Sequence, residues 1–333
     1  MHTSDVMLDI RNLVVEYATV DGVVHAVNDI SLSVKRQRCM GLVGETGAGK
    51  TSTALAVMNL IPTPPGVIRR GSILVNGYNV LRMKDTEMDA VRGKEVAMIF
   101  QDPMTALNPV LTIGSQIAES ILLHEKVSGA EAEKRAMNML EMVGIKGTRA
   151  NDYPHQLSGG MKQRVVIAIA LCCNPHLLIA DEPTTALDVT IQAQVLELID
   201  ELRENYKTSM LLITHDLGIV GDMCDEVSVM YAGRIVESGT VKDVFTDTRH
   251  PYTEGLFNSL PNINNRAAQL TPIPGLMPDP TDLPPGCAFS PRCRYARSKC
   301  RERVPEAKWI GDTHMVACIA YEDPGFRIER SKR

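Results

Sequence analysis

The run Gly44-Glu45-Thr46-Gly47-Ala48-Gly49-Lys50-Thr51 has the spacing G-x-x-x-x-G-K-[ST]. Glycines at those intervals let backbone N–H groups turn inward around phosphates, and a helix starting at the end of the loop adds partial positive charge. Lys50 then reaches the β- and γ-phosphates, the Thr51 hydroxyl can hold Mg²⁺, and Ser52 follows in the same first turn. A second chemical group lies far downstream, where the apolar run Leu177-Leu178-Ile179-Ala180 ends in Asp181 and Glu182. Two carboxylates at the C-terminal end of a buried strand suit Mg²⁺ coordination by Asp181, directly or through its water. They also suit polarisation of an attacking water by Glu182. A ligand-free glycine turn and a solvated acidic strand end are the bland alternatives. Their occurrence in one chain favours a bound nucleoside triphosphate.

These groups need elements to hold them. Short apolar runs at Met7–Ile10, Leu13–Val15, Val23–Val27, Ile30–Val34 and Cys39–Val43 predict strands, the last buried and leading straight into the glycine loop. Thr51–Leu60 predicts the helix after the loop, ending at Pro62-Thr63-Pro64-Pro65-Gly66. A strand before Asn76-Gly77 predicts a hairpin and hence a small antiparallel sheet. From Ile113 to Gly147 the pattern turns helical, with Met137, Leu140 and Val143 as one expected buried stripe. Helix over Lys162–Cys173, strand over Leu177–Ala180, helix over Ile191–Asn205 and strand over Ser209–Thr214 then predict a parallel sheet covered by helices. Seven prolines between Pro261 and Pro285 predict an extended linker or boundary.

Composition narrows the function classes. The 333 residues suit about two domains, and 44% apolar content is ample for a core. A formal charge of −5 gives no global electrostatic case for nucleic acid as the main partner. The nine-residue stretch Val165–Cys173 falls well short of the about 18–20 residues needed to cross a bilayer. With no basic, then apolar, segment at Met1–Asp5, the chain is expected in the cytoplasm.

Leu157-Ser158-Gly159-Gly160-Met161-Lys162-Gln163-Arg164 resembles the signature motif of ABC-transporter ATPases, and the resemblance extends over about residues 7 to 250. It implies an α/β fold: a P-loop NTPase (ABC ATPase) core with an antiparallel β subdomain, an inserted helical subdomain at about residues 102–165 and a small C-terminal Cys-rich extension. It also implies that Ser158, Gly159, Gly160 and Gln163 of one subunit close over the γ-phosphate held by Lys50 of another, so that the site is completed in a dimer. Gln101 matches the glutamine loop that senses Mg²⁺ and water, and Tyr17 the aromatic that stacks on adenine. Thr185-Ala186-Leu187-Asp188 matches the segment facing the opposite subunit, and His215 the switch histidine on the γ-phosphate. The implied cofactors are ATP and Mg²⁺; the implied catalytic set is Glu182, His215, Lys50 and Gln101.

Only 55 residues separate Gln101 from Leu157, too few for the coiled coil of chromosome-maintenance relatives, and one cassette is not the pair usual in translation factors. A transport motor with separate membrane subunits remains. Arg249-His250-Pro251-Tyr252-Thr253, Ile273-Pro274-Gly275 and Pro285-Gly286-Cys287-Ala288-Phe289 resemble the extension of dipeptide and oligopeptide importer ATPases. Residues 1–258 are then the nucleotide-binding domain and 259–333 the extension. The expected partners are a second, non-identical ATPase subunit, two permease subunits and, through them, a peptide-binding protein outside the membrane. The expected place is the cytoplasmic face of the inner membrane, peripherally, with no nucleic acid. Nickel or glutathione import, or a soluble ABC ATPase acting on RNA or ribosomes, are the alternatives.

The extension carries Cys287, Cys293, Cys300 and Cys318 at spacing C-x5-C-x6-C-x17-C, neither a pair of C-x2-C knuckles nor a ferredoxin run. Residue chemistry leaves open a [4Fe-4S] cluster, Zn²⁺, or free or disulfide-linked thiols. Resemblance to importer ATPases with an iron–sulfur tail favours the cluster. Six Lys and Arg against Glu302 between Cys287 and Arg303 give +5, suited to an anionic thiolate centre and also to lipid headgroups or RNA.

Overall fold

The computed structural model describes residues 5–185, 187–260 and 271–328. Its strands are β1 (Val6–Thr19), β2 (Gly22–Lys35), β3 (Cys39–Val43), β4 (Gly66–Val75), β5 (Tyr78–Asn79), β6 (Val96–Ile99), β7 (Leu177–Asp181), β8 (Ser209–Thr214), β9 (Glu226–Tyr231), β10 (Arg234–Thr240), β11 (Lys308–Ile310) and β12 (His314–Val316). The helices are α1 (Lys50–Val57), α2 (Asp85–Val91), α3 (Pro103–Ala106), α4 (Ile113–His124), α5 (Gly129–Met142), α6 (Gly159–Leu171), α7 (Val189–Tyr206), α8 (Leu217–Met223), α9 (Val241–Thr246), α10 (Pro251–Asn258) and α11 (Ser298–Glu302).

Two sheets organise the chain. A four-stranded antiparallel sheet runs β2-β1-β4-β5, and an eight-stranded sheet runs β11-β12-β10-β9-β3-β8-β7-β6. The early apolar runs that predicted four short strands fuse into two long ones, β1 and β2, which pair antiparallel through several register shifts. Each shift bends the strand without ending it, and the interruptions at Asn12 and Asp29 are left-handed residues (φ 48° and 64°) inside the strands. Asn76-Gly77 turns β4 into β5, as the hairpin signal predicts. In the large sheet β3 pairs parallel with β8 and β9, and β7 lies parallel between β6 and β8. These central strands are buried on both faces, which is why they read as unbroken apolar runs.

The inserted helices correct one expectation. The helical run over Ile113–Gly147 divides into α4 and α5, capped by the Thr112 and Ser128 hydroxyls. On α5 the buried face is Ala132, Ala136, Met139 and Leu140, continued by Val143, while Met137 is 40% exposed. Leu140 and Val143 lie on the expected stripe, which Ala136 and Ala132 continue in place of Met137.

The C-terminal region does not stand apart from the core. β12 pairs antiparallel with β10 (Glu237↔Val316), and β11 pairs with β12, so two strands of the extension extend the main sheet. Glu237, fully buried, is the tie: it accepts from Arg249 N–H at 2.6 Å and His250 N–H at 2.9 Å, and lies 2.8 Å from His314 Nε2. A Glu237→Leu variant strands two backbone donors and an imidazole in a dry interior. We expect a loss of about 2–4 kcal/mol and a fall in Tm of several degrees; an unchanged melting curve in differential scanning calorimetry would remove this role.

Candidate functional site

The loop between β3 and α1 is shaped by clashes that only glycine avoids. A Cβ on Gly44 would lie 2.2 Å from the Met230 carbonyl oxygen, and one on Gly49 2.2 Å from that of Ala26. Gly47 and Gly49 also have φ of 83° and 102°. The loop is thus pressed between β9 and β2, with Ala48 fully buried beneath it. Lys50 folds back over it, its ammonium donating to the carbonyls of Gly44 (2.8 Å) and Glu45 (3.1 Å). Burial lowers the Lys50 pKa, against the opposing pull of Glu182 and Asp181. Ser52 faces Tyr17, whose hydroxyl is 3.3 Å from the Ser52 Oγ. Tyr17 is half-buried, its ring edge so near Gly66 that a Cβ there would meet Cε1 at 2.9 Å.

The acidic strand end sits at the same sheet edge, where β3, β7 and β8 terminate side by side. Asp181 is 2% exposed, and its Oδ1 has no hydrogen-bond partner among the described residues. Burial raises the pKa of the Asp181 carboxyl, against the opposing influence of the Thr51 hydroxyl and Lys50. A buried carboxylate oxygen with no donor, next to a threonine hydroxyl and the phosphate loop, fits a Mg²⁺ ion there. Glu182 is the hub of the site. It occupies a left-handed conformation (φ 46°), accepts from Thr185 Oγ1 (2.9 Å) and Gln101 Nε2 (3.1 Å), and lies 3.7 Å from Lys50 Nζ and 3.6 Å from His215 Nδ1. A non-glycine residue held at positive φ is strained backbone, here serving to aim the carboxylate across the loop. Lys50, Gln101, Asp181, Glu182 and His215, up to 165 residues apart in sequence, therefore form one cluster.

The signature residues take a different place. Ser158 caps α6, accepting from Met161 N–H at 3.4 Å, and Gly159 and Gly160 form its first turn. Gly160 is needed for packing, since a Cβ would meet Ile191 at 2.7 Å. Gln163 is 1% exposed with its Nε2 unpartnered among the described residues, so it lies beneath the helix surface and not on it. Asp188 caps α7 by accepting from Ile191 N–H at 3.0 Å. Ala186 lies outside the described residues.

Glu45 also ties the loop to the C-terminal region. Its N–H donates to Tyr252 Oη at 2.9 Å and its carboxylate takes Arg292 Nη1 at 3.0 and 3.2 Å. Arg292 and Tyr252 are contacts that sequence reasoning missed, since 247 and 207 residues separate them from Glu45.

The four C-terminal cysteines line one small cavity of about 20 Å³, together with His250, Phe289 and Ile319. The Cys287 N–H donates to the Cys300 carbonyl at 2.8 Å, bringing two of them onto adjacent backbone. Burial pushes Cys293 up to about 11 and Cys318 up to about 12. Among the described residues no three His, Cys, Asp or Glu side chains are grouped to hold a metal ion. The cationic run around the cysteines is largely paired: Arg292 with Glu45, Arg294 with Glu254 at 2.7 Å, Arg297 with Asp323 at 3.2 Å, and Arg303 with Glu322. Little of its +5 is free for an outside polyanion. The other cysteines sit in apolar surroundings, with Cys39 and Cys224 sulfurs 3.3 Å apart. Among the described residues, no helix is long and apolar enough to cross a membrane.

Comparison with known proteins agrees with this geometry. Residues 27–185 match the ABC transporter family, and residues 236–300 match the oligopeptide/dipeptide transporter C-terminal region. The chain is 50% identical over 313 residues to the oligopeptide transport ATP-binding protein OppD of Bacillus subtilis, covering 93% of this chain and 87% of that one. It is 47% identical to the dipeptide transport ATP-binding protein DppD of the same organism, covering 94% of each. Among solved structures, the dimeric post-hydrolysis ATP-binding cassette MJ0796 bound to ADP and Pi aligns with TM-score 0.64 and 25% identity, over 71% of this chain and 99% of that one. With the phosphate loop, the acidic strand end and the C-terminal region all in place, the chain belongs to the family of ABC transporter ATP-binding subunits of the oligopeptide and dipeptide importer type, and it is an ATPase.

Proposed function

We propose that this subunit drives the uptake of di- and oligopeptides into a bacterial cell. It would do so from the cytoplasmic face of the inner membrane, bound to two permease subunits that receive cargo from an outside peptide-binding protein. The observation that carries this reading is the joint match of one chain to the ABC transporter family and to the oligopeptide/dipeptide C-terminal region, with relatives named for oligopeptide and dipeptide transport. Residues 1–258 act as the nucleotide-binding domain, with 102–165 as its helical part, and 259–333 as the extension.

In the proposed cycle, Lys50 and the loop amides of residues 46–52 hold the phosphates of ATP, and Tyr17 packs on its adenine. Mg²⁺, when bound, supplies charge neutralisation at the β- and γ-phosphates, held by Thr51, Asp181 and Gln101. Glu182 accepts a proton from the attacking water, and His215 contacts the γ-phosphate. Ser158, Gly159 and Gly160, set at the N-terminus of α6, present donors to the nucleotide of a facing subunit, with Asp188 beside the interface and Gln163 supporting the helix from below. The facing subunit is a second, non-identical ATPase, so ATP binding closes the pair and hydrolysis releases it.

We also propose that Cys287, Cys293, Cys300 and Cys318 hold a [4Fe-4S] cluster. What supports this reading is that the four thiols line one small cavity, where they would be the ligands of such a group. Zinc is the alternative, and requires all four sulfurs to close to about 2.3 Å from one point. When bound, the cluster supplies a covalent cross-link among the segments that carry the four cysteines.

The test is transport by the assembled importer. Co-expression with candidate permease genes and reconstitution in vesicles should give ATP-dependent uptake of labelled peptides, abolished by Lys50→Ala. Purification with ribosomes and no permease, or uptake of nickel or glutathione but no peptide, would overturn the cargo assignment while leaving the ATPase in place.

A further inference from the structure

The phosphate loop is gripped from outside the cassette motifs. Glu45 is held at three points: Tyr252 Oη takes its N–H, Lys50 Nζ donates to its carbonyl, and Arg292 pairs with its carboxylate. The Arg292 side chain is only 7% exposed. Its Nε donates to the Pro274 carbonyl at 2.9 Å, its Nη1 lies 3.3 Å from Tyr231 Oη, and its guanidinium sits 5.9 Å over the Tyr231 ring. The backbone that presents it is fixed as well, since Ser290 N–H donates to the Cys287 carbonyl at 2.9 Å and Arg292 N–H to the Phe289 carbonyl at 3.0 Å, the tight turn between Cys287 and Cys293.

We propose that Arg292 is a positioning residue of the ATPase site, clamping Glu45 so that the phosphate loop and the Lys50 ammonium are set in place before ATP arrives. A buried, multiply bonded guanidinium makes the strong kind of charge-assisted contact, and its planar fork loses little freedom on bonding. Without it, the Glu45 carboxylate loses its ion pair, and of the two contacts that reach Glu45 from the C-terminal region only the Tyr252 bond remains. ATP must then order the loop as it binds. That cost falls on binding, and the chemistry of the bound nucleotide is the same, so the effect appears in KM and not in kcat. The inference rests on the ATPase alone and not on the cargo or the cysteine centre.

The experiment measures ATP hydrolysis by the assembled, anaerobically purified importer carrying Arg292→Met, Arg292→Lys, Glu45→Gln or the Arg292→Met/Glu45→Gln pair, with iron content and a melting curve for each. Arg292→Met and Glu45→Gln should each raise KM for ATP about tenfold with kcat within about twofold. The double variant should be no worse than either single one, and Arg292→Lys should recover part of the loss. Arg292→Met with a lower Tm but unchanged KM would make the residue merely structural and overturn the proposal, as would single effects that multiply in the double variant. Should Arg292→Met fail to assemble, Glu45→Gln decides, because it leaves the cysteine turn untouched: a tenfold rise in KM with an unchanged melting curve supports the clamp, and an unchanged KM removes it.

Discussion

Replacing Glu182 by glutamine should leave ATP binding intact and slow hydrolysis by about 10²–10⁴-fold. Glutamine keeps the size of the side chain and its acceptor oxygen, so the bond from Thr185 Oγ1 survives, and the left-handed backbone at residue 182 is no harder for it. What it loses is the negative charge that stands 3.7 Å from Lys50 and 3.6 Å from His215, and with it the ability to take a proton from water. A closed, ATP-loaded dimer should accumulate, visible as a shift in size-exclusion elution with Mg-ATP and as a flat single-turnover trace. Hydrolysis at the wild-type rate would mean that another group activates the water.

The second large effect is expected from the extension. Changing Cys287, Cys293, Cys300 and Cys318 together to serine should take iron from about four per chain to none and abolish broad absorption near ~400 nm. Serine offers no soft thiolate to hold iron. The stretch that carries Cys287, Cys293 and Cys300 has little regular structure, α11 being a single short turn, whereas β12 is paired to β10 of the main sheet. Amide exchange over residues 287–303 should then rise well above that of the intact protein while β3, β7 and β8 stay protected. One zinc per chain in the wild type would replace the cluster by a tetrahedral site; no metal would leave the thiols to packing alone.

Much of the nucleotide site was legible because its parts carry their own local context. Gly44 to Thr51 sits between a strand and a helix whatever the rest of the chain does, and Asp181-Glu182 ends an apolar run long enough to be only a buried strand. Ser209–Thr214 was placed to the residue for the same reason. Element joins were less legible. Left-handed Asn12 and Asp29 look like turns in a sequence, yet they sit inside β1 and β2 because the neighbouring strand bonds continue past them. Met137 and Ala136 on α5 differ by one position, and only the fold shows that the smaller residue is the buried one.

A phosphate-binding loop and a carboxylate strand end were thus readable from the residues, because each is a short-range pattern whose chemistry follows from spacing, while the signature and the cysteine-bearing extension were readable through their resemblance to a family. Only the tertiary structure decided that Glu182 gathers Lys50, Gln101, Thr185 and His215 around one carboxylate, and that the four cysteines line one cavity. It alone turned a formal +5 stretch into a set of ion pairs and joined Arg292 to Glu45 across 247 residues. Those contacts are set by how strands from opposite ends of the chain are ordered in one sheet, and strand order is a long-range property that residue spacing does not encode.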